Sequence, residues 1–223
     1  MELRSENISV SFKHKGRLAR TITLFKGLNI SVESGRLTVI SGRSGSGKTT
    51  LINVLSGLLV PDGGKVLYGD TDIFALSDDR LSEFRNRHIG YIPQGQSAVS
   101  SLNVLQNILL PAKLFGSSPD DGKGRLTAER VGLGEFINAR PNELSGGELR
   151  RLAVARALVN SPDVIFADEP TNDLDDENRN LVLDLLAEEA AGGKAVVIVT
   201  HDSEAVGRAD IRYRMENGVI SLN

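Results

Sequence analysis

Apolar and polar positions alternate with a period of two in the first third of the chain, over residues 8–12 (ISVSF), 22–24 (ITL) and 28–32 (LNISV). Successive strand side chains face opposite ways, so this pattern predicts half-buried strands. Glu33-Ser34-Gly35 predicts a turn. Residues 37–40 (LTVI) predict a short buried strand that runs into a glycine-rich loop at Gly42. A helical pattern follows over 48–55 and ends at Ser56-Gly57, and Pro61-Asp62-Gly63-Gly64 predicts a turn. Residues 78–87 predict a charged surface helix. Residues 102–115 have helical spacing, with a break expected at Pro111. A loop is expected at 117–122 and short helical pieces over 125–138. This middle block is poor in β-branched residues and predicts a helical insertion. Residues 164–167 (VIFA) and 195–199 (AVVIV) are unbroken apolar runs, as expected of strands covered on both faces. Leu181, Val182, Leu185 and Leu186 mark one face of a helix between them. Strand, helix, strand at this spacing predicts a parallel sheet with crossover helices.

Composition narrows the function classes. The chain has 223 residues, 40% hydrophobic and 25% charged, with a net charge of −3. That is an ordinary globular balance with no general basic footprint for nucleic acid. No run approaches the length of a membrane span. The opening MELRSENISVSF lacks a basic-then-apolar leader, the pattern of a chain that stays in the cytosol. With no cysteine, disulfides, thiolate metal sites and cysteine nucleophiles are excluded.

The string Gly42-Arg43-Ser44-Gly45-Ser46-Gly47-Lys48-Thr49 fits the phosphate-binding P-loop pattern, with an apolar strand before it and a helix after it. Glycines let the backbone curl so that successive N–H groups face phosphate oxygens, and the helix adds its positive end. Lys48 supplies a charge for the β- and γ-phosphates, and Thr49 a hydroxyl for Mg²⁺. Gly42, Ser44, Gly45, Ser46, Gly47, Lys48, Thr49 and Thr50 are the candidate nucleotide contacts. Asp168-Glu169 closes the apolar run at 164–167. Adjacent strand residues face opposite ways, so the two acids need not share a task. Asp168 is placed to hold Mg²⁺ through water, and Glu169 to polarise the attacking water as general base. The bland alternative is a pair of solvated acids at a strand end.

Leu144-Ser145-Gly146-Gly147-Glu148 precedes a helix reading LRRLAVARAL. An LSGGE string between a P-loop and an apolar-run Asp-Glu resembles the ATP-binding subunits of ABC transporters, and the resemblance covers essentially the whole chain. Other family motifs fall in order. Gln94, after Tyr91-Ile92-Pro93, resembles the Q-loop, residues 171–175 (TNDLD) the D-loop, and His201, after Val199-Thr200, the switch histidine. Phe12 resembles the aromatic residue that stacks on adenine, with a core position on the first strand as the alternative. Ser145 is placed to cap its helix, and Gly146 and Gly147 leave the first N–H groups uncovered, a second anion site.

The resemblance implies an α/β P-loop NTPase (RecA-like) core with an antiparallel β subdomain and a helical subdomain carrying the signature. It divides a single domain, 1–223, into a core of 1–93 and 159–223 and a helical part of 94–158. It implies ATP and Mg²⁺ as ligands, and ATP hydrolysis coupled to transport. Gln94 would reach Mg²⁺ and the attacking water. His201 would contact the γ-phosphate and hold Glu169 and the water in line. Ser145, Gly146, Gly147 and Asp175 would meet the nucleotide or P-loop of a second copy in a head-to-tail dimer. Asp173, Asp175, Asp176 and Glu177 also suit a helix N-terminus.

The implied partner is a separate membrane permease, docking beside Gln94 and residues 100–115, which would hold the chain on the cytoplasmic face of the membrane. No nucleic acid is expected. Likeness is greatest to the lipoprotein-releasing and macrolide-export branch. The alternatives are a regulatory cassette that signals through a membrane protein without transport and, behind it, a soluble ABC ATPase. Leu149-Arg150-Arg151, Asn172-Asp173 and Gln106 depart from common family residues, and none is a catalytic position. The basic run at 13–20 reads as a solvated hairpin, with anionic lipid or a partner as alternatives. His14 and His88 carry no pattern that assigns a role.

Overall fold

A computed structural model describes residues 2–14, 20–115 and 120–223, without the side chains of 13, 14 and 20. Most of the basic run at 13–20 and part of the loop expected at 117–122 therefore lie outside the described residues. The first half contains β1 (Leu3–His14), β2 (Arg20–Val32), β3 (Arg36–Ser41), α1 (Lys48–Leu55), β4 (Gly63–Tyr68), β5 (Thr71–Asp72), α2 (Asp78–His88) and β6 (Ile89–Ile92). The second contains α3 (Val104–Lys113), α4 (Asp121–Arg130), α5 (Gly146–Leu158), β7 (Val164–Asp168), α6 (Asp176–Ala191), β8 (Ala195–Thr200), α7 (Ser203–Arg208), β9 (Ile211–Glu216) and β10 (Val219–Leu222).

Two sheets organise the chain. Four strands form an antiparallel sheet in the order β2-β1-β4-β5, and six form a second sheet in the order β10-β9-β3-β8-β7-β6. The second sheet is parallel except for β10. Its central strands are buried on both faces, which explains their unbroken apolar runs. Leu37, Val39, Ile165, Ala167, Val196 and Ile198 face the helices of the middle of the chain and α6. Their neighbours Ile40, Val164, Phe166, Val197 and Val199 face α1 and the antiparallel sheet.

Two details differ from the sequence reading. The separate strands expected at 22–24 and 28–32 are one strand, β2. Its pairing with β1 slips between Ser5 and Ser11. Asn7 lies there at φ 54°, its N–H donating to Asn29 Oδ1 at 2.8 Å, and Gly27 donates to Ser9 Oγ at 3.1 Å. The irregularity absorbs the break in alternation without ending the strand. Pro111 does not end α3, which runs on to Lys113. It lies in the last turn, where its missing N–H forfeits only one internal bond, and Asn86 Nδ2 donates to the Pro111 carbonyl at 2.8 Å.

Among the described residues, no strand lies between Ile92 and Val164, so the helical insertion is as expected. Asn103 and Gln106 form a reciprocal capping box at the start of α3. Fully buried Asn107 ties the loop ahead of it, exchanging bonds with both Val99 N–H and Val99 C=O. No helix among the described residues is long and apolar enough to cross a membrane.

Candidate active site

The C-terminal ends of β3, β7 and β8 meet at one edge of the parallel sheet, the edge where such sheets bind ligands. The P-loop strand β3 and the acid-bearing strand β7 are not neighbours, since β8 lies between them and ends at Thr200, just before His201. This order brings three distant segments to one place.

The loop after β3 is shaped by close approaches. A Cβ on Gly42 would lie 2.4 Å from the Met215 carbonyl oxygen. Gly47, at φ 104°, begins α1, and a Cβ there would lie 2.8 Å from the Phe25 ring. The antiparallel sheet therefore packs directly on the P-loop. Lys48 is 7% exposed, and its Nζ donates to the carbonyls of Gly42 at 2.8 Å and Arg43 at 3.2 Å. Among the described residues, Ser46 Oγ is buried without a hydrogen-bond partner, an orphaned polar atom inside the phosphate loop.

Thr49 Oγ1 donates to Asp168 Oδ1 at 3.1 Å, so the two residues assigned to Mg²⁺ face one another. Burial raises the pKa of Asp168 above its ordinary value. The hydrogen bond from Thr49 opposes the rise, Glu169 adds to it, and Lys48 and Arg150 work against it. Glu169 adopts φ 45°, a left-handed conformation rare for a residue with a side chain. The turn swings its carboxylate back into the cleft. There Oε2 accepts from Thr200 Oγ1 at 2.8 Å and pairs with His201 Nδ1 at 3.0 Å, and Oε1 stands 3.7 Å from Lys48 Nζ. His201 remains 68% exposed, free to reach a ligand from the open side. Gln94 follows β6 and lines the same cleft, of about 340 Å³, with Leu24, Ser44, Gly45, Gly47, Lys48, Thr49, Thr50 and Glu169.

The signature occupies different ground. Ser145 Oγ accepts from Glu148 N at 3.3 Å, and Glu148 Oε2 accepts from Ser145 N at 2.7 Å, a capping box that starts α5. The Ser145 N–H, and behind it the Ser145 hydroxyl, hold the Glu148 carboxyl below its ordinary pKa. Gly146 lies in a second cleft of about 290 Å³, lined also by Gln94, Gly95, Gln96, Leu149, Arg150, Asn172, Asp173 and Leu174. Gln94 alone is common to the two clefts. Asp175 caps α6, accepting from Asn178 N at 2.8 Å, so the helix-start reading of this acid holds. Asn178 also accepts from Arg151 of α5 and lies against Gly147, where a Cβ would approach within 2.5 Å. The signature and the D-loop are thereby fastened together within one chain.

Phe12 is 45% exposed at the outer end of β1, paired with Ile22, so the alternative of a core residue is excluded. The residue of this sheet that lines the P-loop cleft is Leu24.

Two residues here escaped the sequence reading. Thr200, fully buried at the end of β8, orients Glu169. Arg150 is 7% exposed and donates to backbone carbonyls of both Q-loop and β7. Its signal was present: it shares the buried face of α5 with Ala153, Val154, Ala157 and Leu158, so a charge stands in an apolar stripe. Burial lowers its pKa, and the nearby Asp168 and Glu169 carboxylates oppose that shift.

Comparison with known proteins agrees with this geometry. The family model described as "ABC transporter" matches residues 25–172. The chain is 36% identical over 220 residues to the lipoprotein-releasing system ATP-binding protein LolD of Buchnera aphidicola subsp. Schizaphis graminum, covering 97% of this chain and 95% of that one. It is 35% identical over 215 residues to the ABC transporter ATP-binding protein YtrE of Bacillus subtilis, covering 95% and 93% respectively. Identity to the macrolide export ATP-binding/permease protein MacB of Bartonella quintana is 40% over 201 residues, 89% of this chain but only 30% of that larger protein. Among solved structures, the dimeric post-hydrolysis state of the ATP-binding cassette MJ0796, bound to ADP and Pi, superposes with a TM-score of 0.89. It is 30% identical, and the match covers 98% of this chain and 96% of that one. With the P-loop, paired acids and signature all in place on that fold, the chain belongs to the ABC transporter family, as one of its ATP-binding, ATP-hydrolysing cassettes.

Proposed function

We propose that this cassette hydrolyses ATP as a head-to-tail dimer in which each nucleotide lies between the P-loop of one copy and the signature of the other. The observation that carries this reading is the separation of the two clefts. The signature glycines offer helix N–H groups to an anion, yet Gly146 belongs to a cleft apart from Lys48 and Glu169. A single chain thus owns two unlike half-sites. A head-to-tail pairing makes two whole ones, and dimeric cassette structures in the family support it.

Within a completed site, the P-loop N–H groups and Lys48 hold the β- and γ-phosphates. The orphaned Ser46 hydroxyl, aimed inside the loop, suits a phosphate oxygen. Thr49 Oγ1 and Asp168 Oδ1, 3.1 Å apart, are hard oxygen donors that fit Mg²⁺. When bound, Mg²⁺ neutralises phosphate charge. Glu169 accepts a proton from the attacking water as its oxygen bonds to the γ-phosphorus and ADP leaves. Thr200 and His201 keep that carboxylate aimed. Gln94, shared by both clefts, is placed to sense ligand and water together. Phe12 offers an exposed ring for the adenine.

The second half of the reading is a separate membrane permease that holds the cassette on the cytoplasmic face of the membrane. A cavity of about 480 Å³ between α2, β6 and the end of α3 supports it, lined by Arg85, Tyr91, Pro111, Leu114, Phe115 and Arg156. Leu114 and Phe115 are 68% and 46% exposed there, apolar surface suited to a partner helix. The division into a core and a helical part at 94–158 belongs to the same reading.

Glu169→Gln tests the chemistry. Turnover should fall by about 10²–10⁴-fold while ATP affinity holds, and ATP should drive the variant into a dimer on size exclusion. Turnover at the parent rate would remove Glu169 as the base. Recovery of a membrane protein with the tagged chain from detergent extracts, and substrate flux from vesicles holding both, test the permease coupling.

A further inference from the structure

Glu169 and Gln94 lie on segments 75 residues apart, at the ends of β7 and β6, and neither is held by its own strand alone. One side chain reaches both. Arg150 Nε donates to the Pro170 carbonyl at 2.7 Å. Nη2 donates to the Asp168 carbonyl at 3.1 Å and to that of Glu169. Nη1 donates to the Pro93 carbonyl at 2.6 Å and the Gly95 carbonyl at 3.4 Å. Every acceptor is backbone, and the planar fork of a guanidinium suits it to span them.

In a regular strand successive carbonyls point to opposite sides, so three in a row cannot meet one cation. Here those of Asp168, Glu169 and Pro170 do, because Glu169 turns through φ 45°. The strained turn and the buried guanidinium therefore specify each other. On the other segment, the two carbonyls taken are those on either side of Gln94. The clamp itself rides on α5, five residues past Ser145 at the signature.

We propose that Arg150 is a positioning residue that ties the signature helix to both Glu169 and Gln94, so that the water-activating carboxylate reaches working geometry only while that helix is seated. The proposal rests on Glu169 acting as the base. It means that a displacement of the signature helix is felt at the chemistry through a single side chain, without passing through the nucleotide.

Arg150→Gln and Arg150→Lys are compared with the parent and with Glu169→Gln for melting temperature, ATP affinity, KM and kcat. Both Arg150 variants should keep ATP affinity and KM within about threefold, because the P-loop is untouched. Misplacing a reacting group by about 1 Å costs on the order of 10²-fold, the fall in kcat expected for Arg150→Gln. Arg150→Lys, which keeps the charge but not the fork, should fall less. A variant that melts with the parent and keeps its kcat overturns the proposal, as does a kcat loss matched by an equal loss of ATP affinity. If Arg150→Gln does not fold, Arg150→Lys decides on the same terms. Parent-like turnover by Glu169→Gln would remove the reading of Glu169 and the proposal with it. A slow Glu169→Gln beside an unimpaired Arg150→Lys would remove the proposal alone.

Discussion

The P-loop cleft and the signature cleft share Gln94 and little else. In the first, polar groups at the start of α1 and at or just after the ends of β7 and β8 are bonded across segments, Thr49 to Asp168 and Glu169 to Thr200 and His201. Beside the second, the helix starts are capped by near neighbours, Ser145 with Glu148 and Asp175 with Asn178, while Arg150 reaches distant segments. One cleft brings together Glu169, Lys48 and the Thr49–Asp168 pair, the groups proposed as base, cation and metal holders. At the other, the signature offers a helix start, which attracts an anion without acting on it. On the proposed function, the contrast assigns chemistry to the first region and recognition of another copy's nucleotide to the second.

Five substitutions press on that contrast. Lys48→Ala strikes the catalytic cleft directly and should weaken ATP binding by more than about 10²-fold, as loss of a charge-assisted contact from a phosphate cradle does. Isothermal titration reads it, and retained tight binding would contradict the P-loop assignment. Ser145→Arg strikes the signature, beside the second cleft. Monomer ATP affinity should stay within about twofold while ATP-driven dimerisation and turnover disappear, since the P-loop contacts lie elsewhere.

The two signature glycines sharpen the contrast further. A Cβ on Gly147 would collide with Asn178, so Gly147→Ala should cost about 1–3 kcal/mol in chemical denaturation. A Cβ on Gly146 would meet nothing within 4 Å, so Gly146→Ala should leave stability within about 0.5 kcal/mol while still weakening the ATP-driven dimer. Equal stability effects at the two positions would contradict the packing described.

A last effect, dependent on pH, concerns Asp168. Burial holds its folded pKa above the unfolded value, so the ionised form weakens the fold. That weakening is full above the folded pKa and gone below the unfolded one. Asp168→Asn should therefore melt no lower than the parent at about pH 7, with the difference closing in acid, while losing Mg²⁺-dependent turnover. A lower melting temperature at neutral pH would contradict the sign.

Much of this was legible in the chain. The P-loop, the acids after an apolar run and LSGGE are contiguous strings whose flanks predict their setting, and each lies where those flanks place it. What stayed hidden was carried by single residues acting at a distance. Thr200 is one more β-branched residue in a strand until β8 is seen beside Glu169. Arg150 looks like one charge in a basic helix until its face is known to be buried. Phe12 could be read as core or surface because period-two alternation cannot say which face of a strand meets the second sheet. The continuity of β2 depended on a slip in register, which no local pattern announces.

The central claim is that each chain holds only part of a nucleotide site. Its most direct test is the ATPase rate per cassette as a function of protein concentration, with the assembly state followed by sedimentation in the same buffer. The account predicts that the rate per cassette falls toward zero on dilution and rises with the fraction of ATP-bound dimer. A constant rate per cassette from protein that sediments only as monomer would contradict it.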